Sequence, residues 1–270
     1  MFFYILFDKQ AANAYSETVY IQERSVIMPD LFFPVLLGAA FFAAFIQGIT
    51  GFAFTMIFLA FMQAFLPYTE LLAIATVLAI FMLSMNVYVY RHHIVWKWLP
   101  LPLVINCLVT VGAIRLLRQT MDFPYWHQLL GIVFILLALY MYIFQQHIQI
   151  KPTFKNALLF CGAGGILGDL FGVGGPPIVL YFLALADSKE TYLSSTQMFF
   201  WFNMLYDFAG RAASGMVTGS TFYYASFCLI PVAIGLWLGR RVVGRINSET
   251  LKKLVYLIIF INGWYMLLFS

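Results

Sequence analysis

Long apolar stretches fill most of this chain, and short polar or glycine-rich turns separate them. We interpret ten of these stretches as helices because of their length. They cover residues 31–47, 51–66, 70–90, 97–118, 126–146, 154–171, 175–187, 191–212, 221–244 and 251–269. Most of them approach the roughly 20 residues that cross a bilayer. The pattern therefore predicts an all-α integral membrane protein.

Two glycine-rich breaks interrupt the apolar pattern at comparable places in the two halves of the chain. The first has the sequence GITGF at residues 48–52, and the second has the sequence GVGGPP at residues 172–177. Gly48 and Gly172 are 124 positions apart. Glycine and proline interrupt helices, and inside a membrane an interruption persists only where protein buries it or water reaches it. A matched pair of breaks predicts the binding site of a transporter.

Some of the helices beside the breaks are short, with about 16 residues where a full crossing needs about 20. Each break then joins two short helices, either as a re-entrant hairpin or as two thin crossings. Both arrangements return the chain to its starting side. Five segments in each half is an odd number, so the second half enters from the opposite face. The sequence predicts two inverted repeats of about five helical segments, each beginning with a glycine-broken short helix.

The repeats give the domain boundaries. We assign residues 31–148 to the first transmembrane repeat and residues 152–270 to the second. Residues 1–30 begin apolar and then turn polar, and the apolar part is too short to span. We interpret them as an N-terminal segment, either a disordered tail or a stretch that precedes the true start.

Composition agrees with a membrane protein and excludes several functions. Hydrophobic residues make up 63% of the chain and charged residues 10%, whereas soluble domains average about 25% charged residues. The net charge of +4 is spread over loops, which argues against nucleic acid as a partner. The three cysteines stand singly and the four histidines lie at segment edges, so we predict no metal site, no cofactor and no enzyme activity. No oligomeric state can be predicted.

Lysine and arginine predict the orientation. Ten of them fall on one side of the predicted topology and five on the other, and the richer side is expected to be cytoplasmic. Both termini are then expected on the outer side. The ten are Arg91, Lys97, Lys151, Lys155, Lys189, Arg240, Arg241, Arg245, Lys252 and Lys253.

The two breaks, with the small residues Gly162, Gly164, Gly165 and Gly168 ahead of the second, resemble the sulfite exporter TauE/SafE family. The resemblance covers about residues 31–269. It implies a multi-pass carrier of the cell inner membrane, a secondary transporter of small, sulfur-containing anions such as sulfite and organosulfonates. A passive anion channel or pore is the alternative, and it would need a continuous polar stripe that these sparse polar residues do not supply.

The sequence departs from the common family pattern in two places, one in each break. Thr50 and Phe52 stand where glycines are frequent, and residues 176–177 are both proline where a third glycine is often seen. The identity of the substrate therefore stays open.

Anion binding is expected where short helices start at the breaks. A helix start presents free backbone N–H groups and the positive end of the helix dipole. The alternative is that the glycines serve only close helix packing. The predicted substrate-binding residues are Gln47, Gly48, Thr50, Gly51, Thr76, Gly172, Gly174, Gly175, Pro176, Thr196 and Gln197.

Three charged residues near the second half of the site have predicted roles. Asp169 is an ionisable group at membrane depth and could couple transport to protons; otherwise it is solvated at the interface or caps a helix. Asp207 and Arg211 are four positions apart on one helix and can form an ion pair. That pair is either structural, or Arg211 attracts anions at the mouth of the site.

Overall fold

The structure is a computed structural model that describes residues 29–63, 65–120, 126–144 and 153–242, with single positions between 257 and 268. Regular structure in these ranges is helical, which confirms the all-α prediction. The α-helices are α1 (Pro29–Thr50), α2 (Phe54–Met62), α3 (Tyr68–Tyr90), α4 (Pro100–Thr120), α5 (Trp126–Phe144), α6 (Phe154–Phe171), α7 (Gly175–Leu185), α8 (Lys189–Ala213) and α9 (Gly219–Val242). The predicted N-terminal segment, as far as residue 28, lies outside the described residues.

Five helical stretches in the described ranges are long and apolar enough to span a bilayer. They are Leu31–Thr50, Tyr68–His93, Trp96–Leu117, Phe154–Phe171 and Gly219–Val242. Helix α8 has 25 residues but is markedly more polar than these. At 1.5 Å per residue, α2 with 9 residues and α7 with 11 extend only about half of a hydrocarbon core of about 30 Å.

The first break returns the chain to the end at which α1 began. The ring of Phe65, which follows α2, lies 6.2 Å from the ring of Phe32 near the start of α1. The hydroxyl of Tyr68 at the start of α3 then donates a hydrogen bond to the carbonyl of Leu170, close to the second break, at 2.8 Å. The start of α3 is therefore joined to the end of α6, just before the second break.

The packing of the helices repeats between the two halves. Helices α1 to α4 have the order long, short, long, long, and α6 to α9 have the same order. Helix α1 packs on α9, and α6, its counterpart, packs on α4. Helix α3 packs on α9 and on α8, and α8 packs on α4. Exchanging the two halves leaves this set of partners unchanged.

The structure corrects the alignment of the two breaks by three residues. Gly51 and Gly172 adopt positive φ angles of 88° and 69°, and each lies three residues before a short helix. They are 121 positions apart, whereas the sequence pattern aligned Gly48 with Gly172. A Cβ atom at Gly51 would contact Leu193 at 3.6 Å, and one at Gly172 would contact Leu72 at 3.5 Å. These leucines are also 121 positions apart, so the two contacts are counterparts.

Gly48, one of the predicted substrate-binding residues, lies where α1 and α9 approach each other. A Cβ atom there would lie 2.8 Å from the backbone carbonyl oxygen of Leu236, and Gly239 of α9 faces it. Small residues let membrane helices approach closely. Gly48 therefore allows α1 to pack closely on α9.

Candidate functional site

The two glycine breaks meet inside the protein. A Cβ atom at Gly175 would lie 3.1 Å from the backbone carbonyl oxygen of Phe52, in the first break. A Cβ atom at Gly172 would lie 3.1 Å from the Thr55 side chain on α2. Both places are tightly packed. Glycine is favoured at 172 also because the backbone there is left-handed and closes α6 with a bond from its N–H to the Gly168 carbonyl at 2.9 Å.

A cavity of about 70 Å³ lies where the breaks meet, which is room for a few water molecules or one small anion. Two helices contribute to its wall at counterpart positions, each pair 121 positions apart. These are Ala79 and Phe200, Met82 and Asn203, and Leu83 and Met204. The cavity therefore straddles the contact between α3 and α8. The breaks and their neighbours supply Gln47, Phe52, Phe54, Thr55, Gly168, Gly172, Gly174 and Gly175.

Neutral amides hold the first break. The side-chain NH₂ groups of Gln47 and Gln197 both donate to the Gly51 carbonyl, at 2.9 and 2.8 Å. The Gln47 side-chain oxygen accepts from the N–H of Phe54, the first residue of α2, at 2.9 Å. Asn86 donates to the Gln197 side-chain oxygen at 3.0 Å. Because Gln47 already occupies an N–H at the start of α2, this helix start is less open to an anion than the start of α7.

A charged cluster lies near the second break. One guanidinium nitrogen of Arg211, Nη2, is 3.9 Å from the Asp169 carboxylate and donates to the Asp169 backbone carbonyl at 3.2 Å. Asp207 instead accepts from the Asn203 side chain at 3.2 Å. Within the described ranges the ion pair of Arg211 is thus with Asp169 on α6, and not with Asp207 as the four-residue spacing suggested. The carboxylate of Asp169, on another helix, is closer to Arg211 than the carboxylate of Asp207 on its own helix.

Several polar atoms of this cluster are buried and lack a hydrogen-bond partner among the described residues. Arg211 is 2% exposed, and its Nε and Nη1 atoms have none. Both carboxylate oxygens of Asp169 and one of Asp207 also have none. A buried polar group without a partner costs free energy, so these atoms mark a candidate place for water or a bound solute.

Six of the predicted site residues line the cavity: Gln47, Gly172, Gly174, Gly175, Asp207 and Arg211. Asp169 is behind them, in contact with Arg211. The hydroxyls of Thr50 and Thr76 donate to carbonyls of their own helices, at 3.0 and 2.7 Å. This was the alternative for Thr76, and for both the cause is that a threonine hydroxyl reaches the carbonyl four residues before it.

The remaining predicted residues do not line the cavity. Gly51 and Gln197 belong to the amide cluster, and Pro176 is buried in the first turn of α7. Thr196 is buried on α8, and its hydroxyl has no partner in the described part of the chain.

Two residues of the charged cluster were not among the predicted site residues. Asn203 lines the cavity and donates a hydrogen bond to Asp207. Thr110 interacts with Asp169 from α4. Asn203 could have been found from its spacing of four residues before Asp207, but a single threonine in an apolar helix carries no signal.

Comparison with known proteins supplies the family. No curated protein and no solved structure gives a significant match. The model of the family described as "Sulfite exporter TauE/SafE" matches residues 36–266, nearly the whole described chain and both breaks. The members of this family are membrane transporters of small substrates. The chain is therefore a multi-pass membrane protein that belongs to the sulfite exporter TauE/SafE family.

Proposed function

We propose that this protein is a secondary transporter of small sulfur oxyanions, such as sulfite or an organosulfonate, which bind in the cavity between the breaks. One observation carries the proposal. Arg211 lines this cavity, is almost completely buried, and has two guanidinium nitrogens without a hydrogen-bond partner in the described residues. A cation held in this way beneath the membrane surface is costly unless it has a function.

The chemistry of the lining suits an oxyanion. A guanidinium group presents its donors in a planar fork, which can bind two oxygens of one anion at once. Helix α7 begins at Gly175 on the cavity wall, and its dipole places partial positive charge there. The glycines at 172, 174 and 175 let an anion approach the backbone. These features recognise charge and size, and they leave room for a small organic group.

Alternating access is the mechanism that the repeat favours. The side chains of α3 and α8 pair in antiparallel order, with Ser84 to Trp201 at 2.8 Å and Asn86 to Gln197 at 3.0 Å. Two counterpart helices that cross the membrane antiparallel are related by an axis in the membrane plane, as in inverted-repeat transporters. The reciprocal contacts of Gly51 and Gly172 support the same relation. Rocking of one repeat against the other would open the cavity to each side in turn.

Counterflow in proteoliposomes tests the proposal. Vesicles containing the purified protein are loaded with unlabelled sulfite and diluted into a trace of ³⁵S-sulfite. A carrier accumulates the label transiently above the outside concentration, because the unlabelled anion leaves through the same site. A passive channel, the alternative function, lets the label equilibrate without an overshoot. The absence of any protein-dependent flux for sulfite and for small organosulfonates would refute the proposal.

A further inference from the structure

The last helix of each repeat packs on the other repeat. Helix α9 packs on α1 and α3, and α4 packs on α6 and α8. Among the described residues, neither α4 nor α9 packs extensively on a helix of its own repeat. These eight helices therefore form two bundles that differ from the sequence repeats. The first bundle contains α1, α2, α3 and α9, and the second contains α4, α6, α7 and α8.

The first bundle holds α9 by backbone contact. A Cβ atom at Gly239 of α9 would overlap the carbonyl oxygen of Phe45 on α1, and it would lie 3.0 Å from the Cα atom of Gly48. Small residues allow membrane helices to approach in this way. Near the starts of α3 and α9, the hydroxyl of Ser220 donates a hydrogen bond to the carboxylate of Glu70. Helix α9 is thus joined to two helices of the first repeat.

The second bundle holds α4 through side chains. The amide of Asn106 on α4 donates to the Cys161 carbonyl on α6 at 3.1 Å. A Cβ atom at Gly165 of α6 would lie 2.9 Å from the same amide nitrogen. A Cβ atom at Gly210 of α8 would lie 2.7 Å from the side chain of Ile114 on α4. Helix α4 therefore packs tightly on two helices of the second repeat.

The cavity lies between the two bundles. Its wall combines α1, α2 and α3 on one side with α6, α7 and α8 on the other, and the described wall contains no residue of α4 or α9. The charged residues Asp169, Asp207 and Arg211 all belong to the second bundle. The first bundle contributes the neutral amide of Gln47. An anion bound to Arg211 would therefore be held by the charge of one bundle.

In the order of these eight helices, the chain passes from one bundle to the other at two connections. Residues 91–99 lead from α3 to α4, and residues 214–218 lead from α8 to α9. Gly215 in the second connection has a φ angle of 74°, and a Cβ atom there would meet nothing within 4 Å. Short connections at the ends of helices can absorb the backbone rotation of a hinge.

We infer that these two bundles, and not the sequence repeats, are the bodies that move against each other during transport. The inference rests on the proposed function, which requires motion around the cavity, and it specifies the units that move. Two rigid sequence repeats could move only by separating α1 from α9 and α4 from α6. Two rigid bundles change only the contact of α3 with α8 and the contacts of the breaks, where the cavity already interrupts the packing.

Cross-linking in a cysteine-free protein tests which units move, with a short bifunctional thiol reagent and sulfite counterflow as the readout. Ile105→Cys with Gly162→Cys ties α4 to α6, because a Cβ atom at 162 would lie 3.9 Å from the Ile105 side chain. This link joins the two repeats but stays inside one bundle, so the flux should remain. Ser84→Cys with Trp201→Cys ties α3 to α8 across the bundles. This link should lower the flux at least about ten-fold, and a reductant should restore it.

The matched control ties two helices of the same repeat and the same bundle. Phe42 on α1 and Phe61 on α2 have ring centroids 5.9 Å apart, and a cross-link between cysteines at these positions should leave the flux unchanged. Loss of flux through the α4–α6 link, with this control active, would overturn the inference. Full flux through the completed α3–α8 link would overturn it as well.

Spin-label distances measure the motion without transport and so separate this inference from the proposed function. Leu31 on α1, Phe222 on α9 and Leu116 on α4 are exposed positions for the labels. The α1–α9 pair should give one narrow distance, with and without sulfite, and the α1–α4 pair a broad or two-peaked distribution. This result in a protein without sulfite counterflow would keep the bundles and count against sulfite as the substrate. The reverse pattern, or two narrow distances that never change, would overturn the inference.

Discussion

Gly175, in the second break, lies against the backbone of Phe52 in the first. A Cβ atom added at position 175 would lie only 3.1 Å from the Phe52 carbonyl oxygen. This contact joins the two halves of the chain at the wall of the cavity. A side chain at 175 would separate the breaks or fill the space between them, and the relative position of the halves would change.

Gly175→Ala should therefore lower sulfite counterflow at least about ten-fold without loss of membrane insertion, because a shift of this kind misplaces the binding groups. Gly175→Leu should abolish it. Gly38→Ala is the control, since a Cβ atom at Gly38 meets nothing within 4 Å. Wild-type flux in Gly175→Leu would show that no close approach of the breaks is needed.

The hydrogen bonds of the Gln197 side chain should contribute to the stability of the fold. Gln197→Leu removes the donor to the Gly51 carbonyl and the acceptor of Asn86, and leaves a buried amide unpaired. We expect the free energy of unfolding to fall by about 1–3 kcal/mol, seen as a lower melting temperature in detergent. Thr76→Val should change it little, because the Leu72 carbonyl keeps its helical bond. Equal melting temperatures for both variants would contradict the amide cluster.

The prediction of topology can be tested with reporters. The end of α3 and the start of α8 meet, with Val95 N–H donating to the Ser195 hydroxyl at 3.1 Å. Gly48 near the end of α1 approaches Arg240 at the end of α9. A reporter inserted between residues 93 and 96 should be cytoplasmic, and one fused after Ser270 should be periplasmic. The opposite pair of signals would show that the orientation is reversed. Two cytoplasmic signals would contradict the inverted repeat.

The apolar pattern predicts most of the helices well because a bilayer fixes their length. The break from 172 to 174 falls where the sequence places it. Helix α6 ends at residue 171 and α7 begins at residue 175, as predicted. The repeat alignment was three residues off because the spacing of glycines does not distinguish a left-handed turn from a packing contact. Only the structure separates Gly51, with its positive φ, from Gly48, which packs on Leu236 and Gly239.

The candidate site is only partly contained in the sequence. Arg211 and Asp207 suggest an ion pair by their spacing, but which carboxylate a guanidinium reaches depends on how α6 packs beside α8. The amides of Gln47 and Gln197 are 150 positions apart and meet at one carbonyl oxygen. Such contacts between distant helices follow from the tertiary fold, and no local pattern predicts them.

Counterflow of ³⁵S-sulfite through Arg211→Gln measures the central claim most directly, with Arg115→Gln, an exposed arginine on α4, as the control. Arg211→Lys keeps the charge but loses the planar fork, so it should retain part of the activity. The account predicts that Arg211→Gln loses at least about ten-fold of the flux, as expected for a charged hydrogen bond worth about 1.5–3 kcal/mol, while Arg115→Gln transports as the wild type does. Wild-type counterflow in a correctly inserted Arg211→Gln protein would contradict it.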